Sequence, residues 1–422
     1  MRERKKVQEV LRINYVVGDY TYIMTQNKET FAVPGFLANG IHAGIKQDGM
    51  KDLALIFSTV PAKASALFTK NCLKAAPVLL DMERMKTGLA QAIVANSGNA
   101  NAATGSSGYN DAVAMSKSAS EVLNVDDDLL LVASTGVIGH RLPLENISIG
   151  MRELVNGLRQ DGLPLAAEAI MTTDKFPKIA CQKGIIGSKE ITVCGVAKGA
   201  GMIEPHMATM LAFVITDADI DSRILKTVFK EAADRSFNAI TVDGCMSTND
   251  TAIILANGIA GNKQLRSSSA NTSLFKEMLF HVMSDLSRHI VRDGEGATKV
   301  IDIFIDKAKS VEDAKRIAYA IANSNLVKTA FYGCDPNWGR IIAAAGSAGV
   351  QFPIDNLTLY IENIPVFTHG CRTESCEKEL QEIMTKKDIM VHLLLGMGNK
   401  SYRVCASDLS LEYIKINAHY HT

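Results

Sequence analysis

Between Lys198 and Leu211 the chain reads KGAGMIEPHMATML, a glycine-rich turn that leads straight into the apolar run MLAFVITDADI. A threonine, Thr209, stands at the junction. If its hydroxyl attacks the carbonyl of Ala208, an N-to-O acyl shift and hydrolysis free a chain that begins with Thr209. That residue then carries a nucleophilic hydroxyl and, in its own terminal amine, a base. The other reading of the same letters is a glycine turn entering a buried strand, which apolar periodicity alone supports.

The chain has 422 residues, beyond the roughly 250–300 at which a single core stops growing, so two lobes or a layered core are expected. Hydrophobic residues make up 47%, which is ample to fill them. Lys+Arg and Asp+Glu are equal at 45 each, and no run of like charge marks a nucleic-acid or membrane-surface footprint. The longest apolar runs, LLLVAS near residue 129 and MLAFVI at 210, fall short of the ~20 residues that span a bilayer. A small-molecule partner and a soluble protein are expected.

Eight cysteines are scattered without CxxC or Cys/His ligand spacing, which argues against a zinc site. They are expected as buried or idle thiols of a reducing cytosol. The basic start MRERKKVQEV continues into LRINYVVGDYTYIM without the apolar core and small-residue cleavage site of a secretory signal. Residues 1–30 are expected to form a disordered or loosely docked extension, the alternatives being a transit peptide and a start at Met24.

Strand-like runs at 52–59, 90–98, 129–135 and 189–199 alternate with helical stretches at 109–124 and 142–160, an α/β pattern. After Thr209 come a strand at 210–218, a helix at 221–237, a strand at 251–258 and a helix from Asn271 to about Arg292. GNKQLRSSSANTS (261–273) is expected as an exposed loop. The last third offers a strand at 300–308, a helix at 313–332 and two strands at 389–396 and 402–410.

The blocks VPGFLANGIHAGIK (33–46), AAPV (75–78), NSGNANAATG (96–105), STGVIG (134–139), MTTD (171–174), SFNAITVDG (236–244), STNDT (247–251), DGEGATK (293–299) and CDPNWGR (334–340) follow one another along the chain. Together with ATML (208–211) they resemble, in order, the ornithine acetyltransferase family, also called the bifunctional glutamate N-acetyltransferase or ArgJ family. The resemblance covers all but about the first thirty residues. It departs at Cys245 and Met246, which stand where polar residues are expected.

The resemblance implies a layered α/β/β/α fold of the self-processing, N-terminal-nucleophile type, with two lobes. Residues 31–208 would form one chain and 209–422 a second beginning with the nucleophile Thr209, after cleavage at Ala208–Thr209. Thr135, through its hydroxyl, and Gly136, through its backbone N–H, would form the oxyanion hole. Lys198 would hold the substrate α-carboxylate, and Thr172 the same head group, with Thr173 the alternative by one register step. Glu295 would pair with the side-chain amine of ornithine, and Asn417 and Thr422 would complete the substrate contacts. Read singly, each has an ordinary role too: STGVIG a strand-to-loop turn, Lys198 a solvated lysine, MTTD a turn cap, Glu295 an exposed turn acid. His206 is expected to be structural, and Trp338 a core anchor beside the site.

The implied reaction moves an acetyl group from N2-acetyl-L-ornithine to L-glutamate through an acetyl-Thr intermediate in arginine biosynthesis. Neither metal nor redox cofactor is implied, and these residues leave open whether acetyl-CoA also serves as donor. An α2β2 assembly in the cytoplasm is expected, without nucleic-acid or membrane partners. The alternative is an aminopeptidase or amidase on a related fold, with water in place of glutamate. A non-catalytic protein on this fold would keep its chain uncleaved.

Overall fold

The structure is a computed structural model that describes residues 12–17, 20–25, 31–204, 210–267, 269–374 and 377–419. Strands β1 (Arg12–Val17) and β2 (Tyr20–Thr25) form an antiparallel pair. A first lobe follows with β3 (Phe36–Ile41), β4 (Leu53–Phe68), α1 (Ala76–Arg84), β5 (Leu89–Asn99), α2 (Gly105–Leu123) and β6 (Leu130–Val137). It continues through α3 (Leu144–Asn156), α4 (Leu163–Ala169), β7 (Lys178–Ile186), β8 (Lys189–Lys198) and β9 (Leu211–Thr216). Then come α5 (Ser222–Asp234), the short β10 (Ile240–Thr241), β11 (Thr251–Ala256) and α6 (Ala270–Arg292).

The first-lobe sheet runs in the order β6-β5-β4-β11-β9-β8-β7, with β3 added alongside β4. Its strands are apolar on both faces, because each face meets a different layer. On β5, Ala92 and Val94 pack with α2 and α3, while Ile93 and Ala95 face the opposite way. On β9, Ala212 and Val214 pack with α5 and α6, while Phe213 and Ile215 join the cluster that holds Ile93 and Ala95. The strands thus form two β-layers that share an inner core and carry helices outside, an α/β/β/α arrangement. Strand β4 passes between the layers, and its pairing with β5 shifts register between Phe57 and Ala62, as a bulged strand does where it bends. Helix α4 contributes Leu163, Ala166 and Ala167 to the inner core, and Ile170 just past its end joins them.

The outer helices obey their own periodicity. In α5 the buried side chains are Leu225, Val228, Phe229, Ala232 and Ala233, spaced as one helical face, and the Asp221 side chain caps the start through Arg223 N. Each fully buried side chain of the Leu or Phe kind on such a face contributes about 1.5–3 kcal/mol. Ser269 caps α6 the same way through Thr272 N, so the last residues of the expected loop 261–273 are in fact the first turn of that helix. Leu265, inside the expected loop, is buried as well.

The second lobe contains β12 (Val300–Ala308), α7 (Val311–Ala322), α8 (Asn325–Tyr332), α9 (Trp338–Gly346), β13 (Thr358–Ile361), β14 (Ile364–Thr368) and β15 (Cys371–Arg372). It ends with α10 (Glu377–Met384), β16 (Asp388–Leu394), β17 (Lys400–Ser407) and α11 (Leu411–His419). Its sheet has the order β10-β17-β12-β16-β13-β14-β15. The helix expected over 313–332 is two helices. The Ser324 side chain accepts from Val327 N and starts α8 afresh.

Two expectations are corrected here. Cys181 and Cys194 are register partners on β7 and β8 and are joined as a disulfide, not idle thiols, whereas Cys72, Cys245 and Cys371 are free and exposed and Cys405 is free and buried. Trp338 is only partly buried and packs on Phe367 in the second-lobe core, away from the cavity described below. Among the described residues no helix is long and apolar enough to cross a membrane.

Candidate active site

Four strand ends of the first lobe converge. Strands β6 and β8 finish with Gly136–Val137 and Lys198, while β9 and β11 start with Leu211 and Thr251. Leu211 is paired with Lys198 on one side and with Thr251 on the other. These ends, the turn after α6 and helix α11 enclose a half-open cavity of about 130 Å³, whose walls include Thr135, Gly136, Thr172, Lys198, Glu295 and Asn417. Six of the residues singled out from sequence therefore meet in one place. Thr173 lines the same cavity. Ala208, Thr209 and Thr422, and also His206, lie outside the described residues.

Lys198 is the hub. It is 3% exposed, and its Nζ donates to Thr135 Oγ1 at 3.1 Å and to Thr172 Oγ1 at 2.7 Å. An ammonium has three protons, so one is left for a ligand carboxylate. The bond to Thr135 also has a consequence for that hydroxyl. One of its lone pairs is occupied by the ammonium, which leaves its own proton to be donated elsewhere. Burial lowers the Lys198 pKa, opposed chiefly by Asp174 and then by Glu295 and Asp250, with Lys178 adding to the fall. Thr172 rather than Thr173 carries the contact to Lys198.

Gly136 sits where only glycine fits. Its φ is +135°, and a Cβ there would lie 2.3 Å from Gly98 C and 2.5 Å from Asn99 N of the adjacent β5. Asn99 faces both Thr135 and Val137, a break in the β5–β6 register. This local opening of the ladder frees backbone groups at the strand end.

Glu295 closes the other side. Its backbone N donates to Ala200 O at 2.8 Å, and its Oε2 accepts from Asn417 Nδ2 at 2.8 Å. Gly201 leaves room for the carboxylate, since a Cβ there would lie 2.6 Å from Glu295 Cδ. Gly296, at φ +68°, lets the turn approach α11, where a Cβ would meet Tyr413 N at 2.4 Å. The cavity thus has a cationic end at Lys198 and a carboxylate end at Glu295.

Sequence reading assigned no role to the polar run before β11, although STNDT was one of the blocks. Ser247, Thr248 and Asn249 line the cavity. Asn249 Nδ2 donates to Ala100 O at 2.6 Å and to Ser134 O at 2.8 Å, fixing the loop that holds Thr135. Asp250 is 0% exposed, and its Oδ1 accepts from Met210 N at 3.2 Å. Burial pushes its carboxyl well above the usual carboxylate range, against the hydrogen bond from Met210 N and the charge of Lys198. The signal was present as five consecutive polar residues, Ser247 to Thr251, leading into the apolar run AIILA. Among the described residues no group of His, Cys, Asp and Glu is placed to hold a metal ion.

The ArgJ family model matches residues 37–422. The arginine biosynthesis bifunctional protein ArgJ of Geobacter sulfurreducens is 49% identical over 391 residues, covering 92% of this chain and 100% of that protein. The protein of the same name from Caldanaerobacter subterraneus subsp. tengcongensis is 47% identical over 392 residues, covering 92% and 97%. Among solved structures, the Bacillus halodurans arginine biosynthesis bifunctional protein is 36% identical and covers 49% of this chain and 98% of its own, with a TM-score of 0.48. The Mycobacterium tuberculosis ornithine acetyltransferase, solved with ornithine, is 38% identical over 41% of this chain and 93% of its own, with a TM-score of 0.37. With residues 37–422 matched by the family model and 92% of the chain matched by relatives 47% and 49% identical to it, the chain belongs to the ArgJ family.

Proposed function

We propose that this chain is a self-processing acetyltransferase of arginine biosynthesis that moves the acetyl group of N2-acetyl-L-ornithine to L-glutamate through an ester on Thr209. The observation that carries this reading is the pairing of Leu211 with Lys198. It ties the strand that follows Thr209 to a hub contacting both Thr135 and Thr172. Cleavage at Ala208–Thr209 frees the Thr209 amine, which takes the hydroxyl proton as base and returns it to the leaving amine as acid. The Thr135 hydroxyl and Gly136 N–H receive the developing oxyanion. Lys198 and Thr172 hold the α-carboxylate of either amino acid, and Glu295, steadied by Asn417, holds the ornithine side-chain amine. Thr422 completes the substrate contacts.

The fragments 1–208 and 209–422 both supply strands to one sheet, β8 before the cut and β9 and β11 after it, which supports their staying together. We further propose an α2β2 assembly in the cytoplasm and, since the relatives are called bifunctional, acetyl-CoA as a second donor. No cofactor is needed.

The test is kinetic. Incubation with N-acetyl-ornithine alone leaves one acetyl group on the 209–422 fragment by mass spectrometry, and double-reciprocal plots at several glutamate concentrations are parallel. Intersecting lines with no acetylated fragment overturn the reading, and fast acetate release without glutamate moves it to the hydrolase class. Glu295→Gln raises KM for N-acetyl-ornithine about tenfold or more, as loss of a charge-assisted contact does, with a smaller effect on KM for glutamate. Equal rises for both substrates remove Glu295 from that role.

A further inference from the structure

Behind the cavity lies a group of charges that the reaction does not use. The side chains of Lys178, Asp174 and Asp293 are all 0% exposed. Lys178 Nζ lies 2.6 Å from Asp174 Oδ1 and 2.6 Å from Asp293 Oδ2. Asp174 also accepts from Thr172 N at 2.9 Å and from Gly199 N at 2.7 Å. It thereby grips both segments of the cationic end, the one with Thr172 and the one just after Lys198. Asp293 accepts from Lys175 N at 3.0 Å and begins the turn that presents Glu295. One buried ammonium therefore joins the carboxylate-binding end of the cavity to its amine-binding end.

Stability does not account for this arrangement. Buried ion groups of this kind are commonly replaced by apolar residues without loss, because desolvation cancels the Coulomb gain. What a hydrogen-bonded charge group does supply is fixed geometry. Burial raises the Asp174 pKa, yet Lys198 and Lys178 overcome it and hold the carboxyl at about 2, whereas burial pushes the Asp293 carboxyl above its ordinary value against the pull of Lys178. The link also crosses the 208/209 junction, since Lys178 and Asp174 precede it and Asp293 follows.

We propose that the Asp174–Lys178–Asp293 link is a positioning device that sets the distance between the two ends of the cavity, and so selects the length of the diamino acid whose acetyl group is taken. This rests on the function proposed above. Lys198 and Thr172 hold one end of the substrate and Glu295 the other, and the link holds those two anchors a fixed distance apart. A substrate one methylene longer or shorter then satisfies only one of them.

The test compares N2-acetyl-ornithine with N2-acetyl-lysine and N2-acetyl-2,4-diaminobutyrate, one methylene longer and one shorter, in parent, Asp293→Asn and the triple variant Lys178→Met/Asp174→Asn/Asp293→Asn. Lys178→Met alone would strand two buried carboxylates and is avoided for that reason. The parent prefers the ornithine derivative by roughly tenfold or more in kcat/KM, the usual worth of a methylene in a shaped pocket. In both variants that preference shrinks to about threefold or less, through a rise in KM for the ornithine derivative with kcat much less changed. An unchanged preference in the variants, or a loss confined to kcat, overturns the ruler and leaves the acetyltransferase reading standing. No transfer from N2-acetyl-ornithine by the parent overturns both.

Discussion

Thr209→Ala is expected to run as one unbroken chain and to transfer no measurable acetyl group. The parent, by contrast, yields two fragments, the second reading TMLAF from its N terminus. The effect is total because one residue fills two roles in succession. In the mechanism proposed above, the Thr209 hydroxyl of the precursor attacks the Ala208 carbonyl, the same hydroxyl of the mature protein takes the acetyl group, and the amine that cleavage exposes serves as its base. Removing the hydroxyl abolishes the ester and also leaves the amine locked in a peptide bond. Loss of such a nucleophile costs on the order of 10⁴-fold or more, with only binding and the oxyanion donors left to act. Thr209→Ser keeps a hydroxyl and is expected to cleave and turn over, more slowly. N-terminal sequencing and the acetyl-transfer rate decide it, and two fragments from Thr209→Ala would remove this residue from the mechanism.

Much of the layered core was legible because its strands are apolar on both faces. Runs such as LLLVAST and MLAFVITDA stand out whatever surrounds them, and they became β6 and β9. Strand β7, KIACQKGII, did not stand out. Its polar letters suggest an exposed segment, yet Lys178 is fully buried there, and its partners are Asp174, four residues earlier, and Asp293, 115 residues further along. A buried charge becomes readable only once its counter-charges are placed. The same holds for Cys181 and Cys194, whose pairing needs the β7–β8 register.

The cavity was legible for a different reason. Its residues fall in blocks that resemble the ornithine acetyltransferase family in order, and the resemblance gives them roles that each residue, read singly, does not declare. What the blocks could not reveal was the wiring between them. Lys198 reaching both Thr135 and Thr172, and Asn417 reaching Glu295 across 122 residues of chain, appear only in three dimensions. Asp250 escaped notice because an acid in STNDT reads as a turn residue, whereas the fold withdraws it wholly from water.

Gly136→Ala carries the second largest expected effect, a loss of about 10²–10³ in kcat. The added methyl has nowhere to go. It would stand 2.3 Å from Gly98 C and 2.5 Å from Asn99 N, atoms of a backbone that cannot swing aside as a flexible side chain could. A φ of +135° is also strained for any residue with a Cβ. The end of β6 must therefore shift, and with it the N–H of residue 136 that faces the developing oxyanion. Displacing one such donor costs about 2.7–4 kcal/mol in the transition state. Lys198, Thr172 and Glu295 do not depend on that methyl position, so KM for N-acetyl-ornithine changes little, the signature of an interaction made only in the transition state. Thr135→Ala, which removes the other donor with no steric change, should lower kcat by a similar factor while thermal unfolding stays near that of the parent. Activities of both variants within a few-fold of the parent would reduce STGVIG to a turn.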